Sequence, residues 1–305
     1  MDRSENIQAL CYGEMLWDVL PDGPQPGGAP MNVAYHLQKL GLACGIISRV
    51  GDDVPGIKLR QLLAGWGIAS QLVQTDTEHP TGEVLVDFDE KQDAVYTIVS
   101  PAAWDFIRTE KTHRQYLNTA EYLIYGSLSC RNQVSKDTLL SLLEHKITRV
   151  FDINLREPYP DKATLSELLS KTDIVKFNQA ELKYTARLFD GWFETEHDKV
   201  KYLQDAFGIP EVVVTRGGDG AAYYKNDKMY CASAPAIKIN DTIGSGDAFL
   251  AAFIQSRHQL IPPEISINQA IVMGAFIATK KGGCPEYEKT EIENFKNQIN
   301  QPQIN

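Results

Sequence analysis

The alternation of short apolar runs with amphipathic segments constrains the fold of this chain more than any other feature. Runs rich in β-branched residues predict strands, and segments with helical spacing between them predict helices. We expect strands at residues 7–12, 43–50, 121–126, 148–153, 173–177, 211–215, 221–224 and 229–232. We expect helices at residues 29–40, 56–66, 132–146, 163–170, 178–188, 196–206, 245–258 and 266–281, and a polar helix after Thr290. This order predicts an α/β fold with a mainly parallel sheet sandwiched by helices.

Two segments depart from the α/β alternation. Residues 13–20 continue the first predicted strand. Residues 81–99 alternate with period two at Val84, Val86 and Phe88, and their polar centre at 89–93 predicts a hairpin turn. Such a hairpin beside a parallel sheet is either a lid over a ligand cleft or an edge hairpin that caps the core.

Charge and composition exclude several classes of function. The net charge is −10, whereas general binders of nucleic acid or anionic membranes need a basic surface. The five cysteines are scattered and form no CxxC pair, which argues against a zinc site or a disulfide framework. The N-terminus has no apolar signal region, and the charge-free stretch 265–279 is too short for a membrane span. We therefore expect a cytoplasmic protein without nucleic-acid or membrane partners.

The strongest motif is the segment 241–249, DTIGSGDAF, which precedes an apolar helix. Gly244, Ser245 and Gly246 stand where that helix begins, so backbone N–H groups and the helix dipole favour an anion there. Asp247 follows in the first turn, where its carboxylate would suit a base that deprotonates a hydroxyl attacking a phosphoryl group. A glycine-rich loop with an aspartate at a helix start is the structural alternative.

Two further polar segments follow predicted strands. Segment 215–220, TRGGDG, contains three glycines, so its backbone either approaches a ligand closely or forms an ordinary hairpin turn. Asn178 and Glu181 share a helix face, where they could orient a hydrated Mg²⁺ and phosphate oxygens or form a capping box. At this second segment both roles can hold together.

The segment 152–156, DINLR, places polar side chains with period two at the end of a predicted strand. Ligands of open α/β sheets bind beyond the carboxyl ends of the strands. Arg156 and its polar neighbours could therefore face a sugar or a phosphate, and an exposed strand end is the alternative.

The segment 27–34, GGAPMNVA, opens a predicted helix. Its glycines allow close approach of the backbone to a ligand, and Asn32 on the first turn could bond a polar ligand through its amide. Simple helix initiation, with Pro30 in the first turn, is the alternative.

Several other motif classes are missing from the sequence. It contains no GxxxxGK[ST] of a P-loop, no GxGxxG after the first strand, no GxSxG elbow and no HExxH pair. These absences argue against a P-loop NTPase, a dinucleotide dehydrogenase, an α/β hydrolase and a zinc peptidase of the corresponding types.

Taken in order, the motifs resemble the PfkB, or ribokinase-like, family of sugar and nucleoside kinases. The matching segments are GGAPMNVA, SRVGDDVPG, DINLR, NQAE, VTRGGDGA and DTIGSGDAF, and the resemblance extends from about residue 7 to residue 285. It implies one ribokinase-like domain over residues 1–305, with a small β lid from about 13–20 and 81–103.

The resemblance also implies roles for the phosphate-binding residues. Asp247 matches the catalytic base, and Gly244, Ser245 and Gly246 match the anion hole around the transferred phosphate. Ser245 stands where alanine is usual, but its backbone N–H is retained. The nucleotide and metal residues of the family correspond to Asn178, Thr215, Gly217 and Gly220 for the nucleotide and Glu181 for Mg²⁺ through water.

The sugar and cation residues follow in the same way. Asp18, Gly28 and Asn32 match positions that bind sugar hydroxyls. Asp241 and Ile243 match a region where some members hold a monovalent cation, often potassium, through backbone oxygens, and residues 280–283 match its downstream segment.

Within the family, GEMLWDVLP and GGAPMNVA resemble fructokinases. The resemblance implies ATP-dependent phosphorylation of a sugar primary hydroxyl, with Mg²⁺ and K⁺ as cofactors. The implied acceptor is the 6- or 1-hydroxyl of D-fructose, and the 6-hydroxyl, which gives fructose 6-phosphate, is favoured. The alternatives are a kinase for 2-keto-3-deoxygluconate, ribose or a nucleoside, and a catalytically silent sugar-binding regulator. Residues 101–104, PAAW, replace a more usual glycine-containing segment near the sugar. Lids of this family often pair between subunits, so we also expect a homodimer through the lids.

Overall fold

The computed structural model describes residues 7–21, 23–88, 94–156 and 160–299, without the side chains of 86–88 and 94–96. The described strands, β1 to β13, are Ala9–Tyr12, Leu16–Leu20, Gly23–Gly27, Cys44–Gly51, Val73–Asp76, Gly82–Phe88, Ala94–Ile98, Tyr122–Gly126, Thr148–Asp152, Ile174–Asn178, Glu211–Thr215, Ala221–Lys225 and Lys228–Ala232. The described helices, α1 to α10, are Ala29–Leu40, Val54–Trp66, Lys111–Leu117, Gln133–Leu142, Lys162–Ser170, Gln179–Leu188, Glu196–Phe207, Ser245–His258, Pro263–Ala278 and Lys289–Ile299. The turn predicted at 89–93 lies outside the described residues.

The main sheet has the strand order β13-β12-β11-β10-β9-β8-β1-β4-β5. Strands β11 to β5 of this order run parallel, and β12 and β13 add an antiparallel edge. Alternate residues of β1 enter different apolar clusters, with Ala9 and Cys11 in one and Leu10 and Tyr12 in the other. Both faces of the sheet are therefore buried, as near-continuous apolar strands require. This confirms the predicted fold class.

A second, smaller sheet has the order β3-β2-β6-β7, and we call these four strands the lid. The prediction that residues 13–20 continue the first strand was wrong. The chain leaves β1 at Gly13, whose φ of +136° disfavours any side chain, and Leu16–Leu20 pairs with β3 and β6 instead.

Strand β3 of the lid was not predicted because its sequence, GPQPG, contains two prolines. Proline cannot donate to a sheet ladder and is confined to edge strands, and β3 lies at the edge of the lid. Strand β5 and helix α3 were also not predicted, since VQTD and KTHRQYL are short and lack a clear apolar period.

The parallel strands bring the predicted site segments to one edge of the main sheet. Asp152, Asn178 and Thr215 end the neighbouring strands β9, β10 and β11, and Asn178 is in register with Thr215. Helix α9 contains the stretch 265–279 except for its last residue, and no described helix is long and apolar enough to cross a membrane.

Candidate active site

The glycine-rich segment forms the start of α8, as the sequence predicted. Gly244 has a φ of +74°, and a Cβ there would lie 2.5 Å from the Cα of Gly283, so both conformation and crowding require glycine. The Ser245 hydroxyl donates to the carbonyl of Gly274 on α9 at 2.9 Å, while its backbone N–H donates to Thr242 at 3.2 Å. The backbone N–H groups of Gly246 and Asp247 are therefore the ones at the start of α8 that are left to bind a ligand.

Asp247 lies in the first turn of α8, partly buried and held by one hydrogen bond. The Asn32 side-chain amide donates to its Oδ2 at 2.8 Å. Burial raises the pKa of Asp247 to about 6, and the Asp152 carboxylate adds to this rise, whereas Asn32 and the positive charges of Lys176 and Arg156 oppose it. The carboxylate is thus mostly ionised at neutral pH yet more basic than an exposed aspartate.

The orientation of Asn32 is fixed from two sides. Its Oδ1 accepts a hydrogen bond from the Cys284 thiol at 3.2 Å, which leaves its amide hydrogens for Asp247. A Cβ at Gly283 would lie 2.6 Å from the Asn32 Nδ2, so the backbone of this neighbour packs directly against the amide. Asn32 is therefore held in place before any ligand arrives.

A buried ion pair lies beneath the glycine-rich turn. The Lys176 ammonium contacts both carboxylate oxygens of Asp152, at 2.8 and 2.9 Å. Burial disfavours its charge, but Asp152, Glu181 and Asp247 outweigh burial and raise the pKa of Lys176. The Lys176 Nζ would lie 3.5 Å from a Cβ placed on Gly246, so the ammonium supplies positive potential directly below the turn.

Sequence reasoning missed Lys176, although a signal was present. A lysine within the apolar strand IVKFN is unusual, because a buried charge needs a partner. Its partner, Asp152, comes from the preceding strand of the sheet and could not be identified from the sequence alone.

Asn178 and Glu181 form the predicted capping box at the start of α6. The Asn178 Oδ1 accepts from the backbone N–H of Glu181 at 2.8 Å, and Glu181 Oε2 accepts from that of Asn178 at 2.7 Å. Glu181 Oε1 also accepts from the N–H of Leu155 at 3.1 Å. Burial, and then the Asp152 charge, raises the pKa of Glu181. Among the described residues no group of three or more His, Cys, Asp or Glu side chains could hold a metal ion.

The glycine loop after β11 connects that strand to the antiparallel strand β12 through a short 3₁₀ turn at Gly217–Asp219. The N–H of Arg216 donates to the carbonyl of Gly220 at 2.8 Å, and the chain returns as β12. Gly220 has a φ of +95° and a Cβ there would collide with the Ala232 carbonyl, whereas Gly217 has a φ of +57° and open space. Thr215 borders Asn178 at the sheet edge, so the loop and the capping box are neighbours.

The predicted sugar residues meet where the lid joins the main sheet. A Cβ at Gly27 would collide with the Asp18 carboxylate, and one at Gly28, with its φ of +106°, would collide with the Glu14 carbonyl. Burial raises the pKa of Asp18 to about 6, an effect that Arg156 opposes. The glycines therefore allow the backbone between β3 and α1 to approach two acidic residues closely.

Arg156 is exposed and supplies the cationic charge of this region. Its guanidinium donates to the carbonyl of Leu155 at 3.0 Å. Its charge lowers the pKa of the Glu14, Asp18 and Asp247 carboxyls, so it lies within electrostatic range of all three. The structure thus groups Arg156 with the predicted sugar residues.

The segment 101–104 packs into the core beneath the lid. Ala102, Ala103 and Trp104 are fully buried, and the Arg131 guanidinium stacks 3.8 Å from the Trp104 ring. Arg131 also pairs with Asp105 at 2.6 Å. This segment anchors the end of the lid hairpin to the main body.

The two segments of the predicted cation region are joined by one carboxylate. Asp241 Oδ1 accepts from the N–H of Ile243 at 3.0 Å, and its Oδ2 accepts from that of Gly282 at 2.9 Å. Residues 241–243 and 280–283 therefore lie side by side, as the predicted pairing of these segments requires.

Comparisons with known proteins agree with this architecture. The fructokinase of Escherichia coli is 29% identical to this chain over 314 residues, covering 95% of the chain and 100% of that protein. The fructokinase of Vibrio alginolyticus is 26% identical over 312 residues, covering 94% of the chain and 98% of that protein. A solved fructokinase from Vibrio cholerae O395, in a form with bound fructose, ADP and calcium ion, superposes with a TM-score of 0.80 at 26% identity, with 94% and 98% of the two chains covered.

A solved aminoimidazole riboside kinase from Salmonella enterica shares the fold, with a TM-score of 0.78 at 23% identity over 94% of this chain and 99% of that one. The model of the pfkB family carbohydrate kinases matches residues 22–290. The ribokinase-like fold, the motif order and this match lead to one conclusion: the chain is a sugar kinase that belongs to the pfkB family of carbohydrate kinases.

Proposed function

We propose that the chain transfers the terminal phosphoryl group of ATP to a sugar primary hydroxyl, with the 6-hydroxyl of D-fructose as acceptor. The observation that carries this proposal is Asp247, a carboxylate of raised pKa held by Asn32 at the open N-terminus of α8. Relatives named fructokinase at 26–29% identity support the choice of sugar.

Asp247 acts as the general base in this mechanism. Its pKa of about 6 leaves it ionised at neutral pH and makes it a better proton acceptor than an exposed aspartate. As the hydroxyl oxygen attacks phosphorus, its proton passes to Asp247, and the hydrogen bond from Asn32 keeps the carboxylate directed at the acceptor. Phosphoryl transfer depends mainly on such positioning and on charge stabilisation.

The open end of α8 receives the transferred phosphoryl group. The amides of Gly246 and Asp247 and the helix dipole face the developing negative charge, and the buried Lys176 ammonium strengthens this potential from below. The nucleotide lies along the loop of Thr215, Gly217 and Gly220.

Asn178 and Glu181 would hold Mg²⁺ through water rather than directly. Both Glu181 oxygens already accept backbone amides, and each retains a lone pair that suits a metal-bound water. The ion, when bound, neutralises phosphate charge. Likewise the backbone carbonyls of residues 241–243 and 280–283, aligned by Asp241, would surround a potassium ion.

Asp18, Gly28, Asn32 and Arg156 hold the sugar in this proposal, with the lid above it. Closure of the lid would exclude water, which otherwise competes as the phosphoryl acceptor. A catalytically silent regulator is disfavoured because Asp247, Asn178 and Glu181 are all retained in ordered contacts.

A coupled ADP-release screen over ketoses, aldoses, sugar acids and nucleosides tests the proposal. We expect a clear ATP-dependent signal with D-fructose that disappears in Asp247→Asn. A stronger signal with ribose, 2-keto-3-deoxygluconate or a nucleoside would replace fructose as the substrate. No ADP release with any acceptor would contradict the kinase mechanism itself.

A further inference from the structure

Glu14 is a buried carboxyl beside the predicted sugar loop, and no role was predicted for it from the sequence. It lies in the turn between β1 and β2 and is only 2% exposed. Its side chain packs against Gly28, since a Cβ at that glycine would lie 3.4 Å from the Glu14 Cγ. The residue therefore forms one wall of the site where the lid joins the main sheet.

The hydrogen bonds of Glu14 are incomplete. The backbone amides of Glu14 itself and of Ala29 lie close enough to its carboxyl to lower the pKa. The second oxygen, Oε2, is buried and has no partner among the described residues. Since buried polar atoms in folded proteins are nearly always paired, an acceptor left open beside a ligand site indicates a donor that arrives from outside the chain.

The Glu14 carboxyl lies within electrostatic range of charged groups at the proposed reacting centre. The Arg156 charge lowers the pKa of Glu14, and the Asp247 carboxylate raises it, so Glu14 lies within electrostatic range of both. Burial is the largest influence and brings the pKa to about 7. Glu14 thus packs against the Gly28 loop and lies within electrostatic range of the proposed base.

We propose that Glu14 is a sugar-binding residue, whose Oε2 accepts a hydrogen bond from a hydroxyl of the acceptor sugar. The same carboxyl lies close to the Ala29 amide at the start of α1. This proposal rests on the sugar-kinase assignment but does not depend on which sugar is the substrate.

A purely structural role is the competing explanation. In that case Glu14 would only satisfy the first amides of α1, where the N-cap residue Gly28 offers no side chain. Glu14→Gln separates the two roles, because glutamine retains one oxygen for the Ala29 amide but presents an NH₂ donor in place of the open acceptor.

The test compares Glu14→Gln with the parent enzyme on the preferred sugar and its monodeoxy analogues. We expect the sugar KM to rise about tenfold or more while the ATP KM changes less than about twofold, because a site built to bond a hydroxyl loses its acceptor. The analogue that lacks the hydroxyl bound by Glu14 should be a poor substrate for the parent, and its kcat/KM should fall little further in Glu14→Gln. This analogue would identify the hydroxyl that Glu14 binds.

Thr185→Val is the matched control. This substitution removes another buried oxygen that has no partner among the described residues. Thr185 lies on α6 and not in the proposed sugar site. We expect it to leave the sugar KM unchanged. If Glu14→Gln loses activity additively with every deoxy analogue, or raises both KM values equally, Glu14 is structural and the proposal is overturned.

Calorimetric titration of the sugar without ATP separates this proposal from the proposed reaction. Sugar binding by the parent that is lost in Glu14→Gln supports Glu14 even where fructose is not phosphorylated. Equal sugar affinity of the parent and the variant overturns the assignment whatever the screen shows, as does a parent that binds no sugar.

Discussion

The two sides of the proposed cleft differ in how completely the fold satisfies their charged groups. On the phosphate side, which we define as Asp152, Lys176, Asn178 and Glu181, each charged group has a partner within the chain. On the sugar side, defined as Glu14, Asp18, Asn32 and Arg156, Glu14 has an open oxygen and burial raises the pKa of Asp18 to about 6.

This difference indicates two ways of building a site. The phosphate side is organised by folding itself, so its substitutions should lower stability as well as activity. The sugar side is completed by its ligand, so its substitutions should act mainly on catalysis and sugar affinity. Asp247 touches both sides, through Asn32 and through the charge of Lys176.

Asp247→Asn should have the largest effect on the reaction. Loss of a general base lowers kcat by roughly 10²–10⁴-fold, and nucleotide affinity should change little. Steady-state kinetics and a nucleotide titration measure the two quantities. Turnover within a few-fold of the parent would show that the base is another group.

The pH profile of the same pair of proteins sharpens this test. Since the Asp247 carboxyl must be ionised to accept a proton and its pKa is raised to about 6, kcat/KM of the parent should fall as the pH drops below about 6. If ionisation of Asp247 causes this fall, the residual kcat/KM of Asp247→Asn should not decrease over the same pH range.

Lys176→Met should have the largest effect on stability. It leaves the Asp152 carboxylate buried and unpaired, which costs about 3–5 kcal/mol of unfolding free energy. Urea denaturation measures the loss, and adding Asp152→Asn should recover part of it by removing the orphan charge. A single variant as stable as the parent would contradict the view that folding organises the phosphate side.

Asp18→Ala should act on the sugar and spare stability. A bound hydroxyl loses a charged partner, so kcat/KM for the sugar should fall by an amount worth about 1–3 kcal/mol, while the ATP KM stays constant. Initial-rate kinetics with each substrate varied in turn separates these effects. Equal losses for both substrates would break the distinction between the two sides.

Val86→Glu should have the smallest effect on turnover and addresses the expected homodimer through the lids. The side chains of 86–88 lie outside the described residues, so this expectation depends on the alternation in the sequence and on the need to cover an apolar row. Sedimentation at micromolar concentration should show a dimer for the parent and a shift toward monomer for the variant.

Leu85→Glu provides the matched control for the lid. Leu85 is 43% exposed and, as the neighbour of Val86 on one strand, it projects to the opposite face. The control should therefore remain dimeric. A monomeric parent with full activity would rule out the lid dimer.

The sequence predicted the main sheet well because both of its faces are buried, which gives strands such as EVVVT an uninterrupted apolar centre. It predicted the lid less completely. Strand β3 is stabilised by its pairing with β2 rather than by its own propensity, and its prolines argue against a strand. A local pattern cannot contain information that depends on a partner strand.

The site shows the same limit. Gly244, Asp247 and the capping box of Asn178 and Glu181 were predictable because each depends on residues next to it in sequence. The pairing of Lys176 was not predictable, because its partner Asp152 lies 24 residues away. Glu14 was missed for a different reason: its open oxygen becomes visible only when all the atoms around it are known.

The backbone of Gly283 has a consequence for how this enzyme can change. This backbone packs against Asn32 on one side and against Gly244 on the other. A Cβ on Gly283 would collide with Asn32, and a Cβ on Gly244 would collide with Gly283. A single added carbon at Gly283 would displace the Asn32 amide that bonds Asp247, and one at Gly244 would collide with the Gly283 backbone. Mutations that change the sugar preference must therefore arise elsewhere along the cleft. A change at Gly283 would alter sugar specificity and turnover together, because it moves the residue that bonds Asp247.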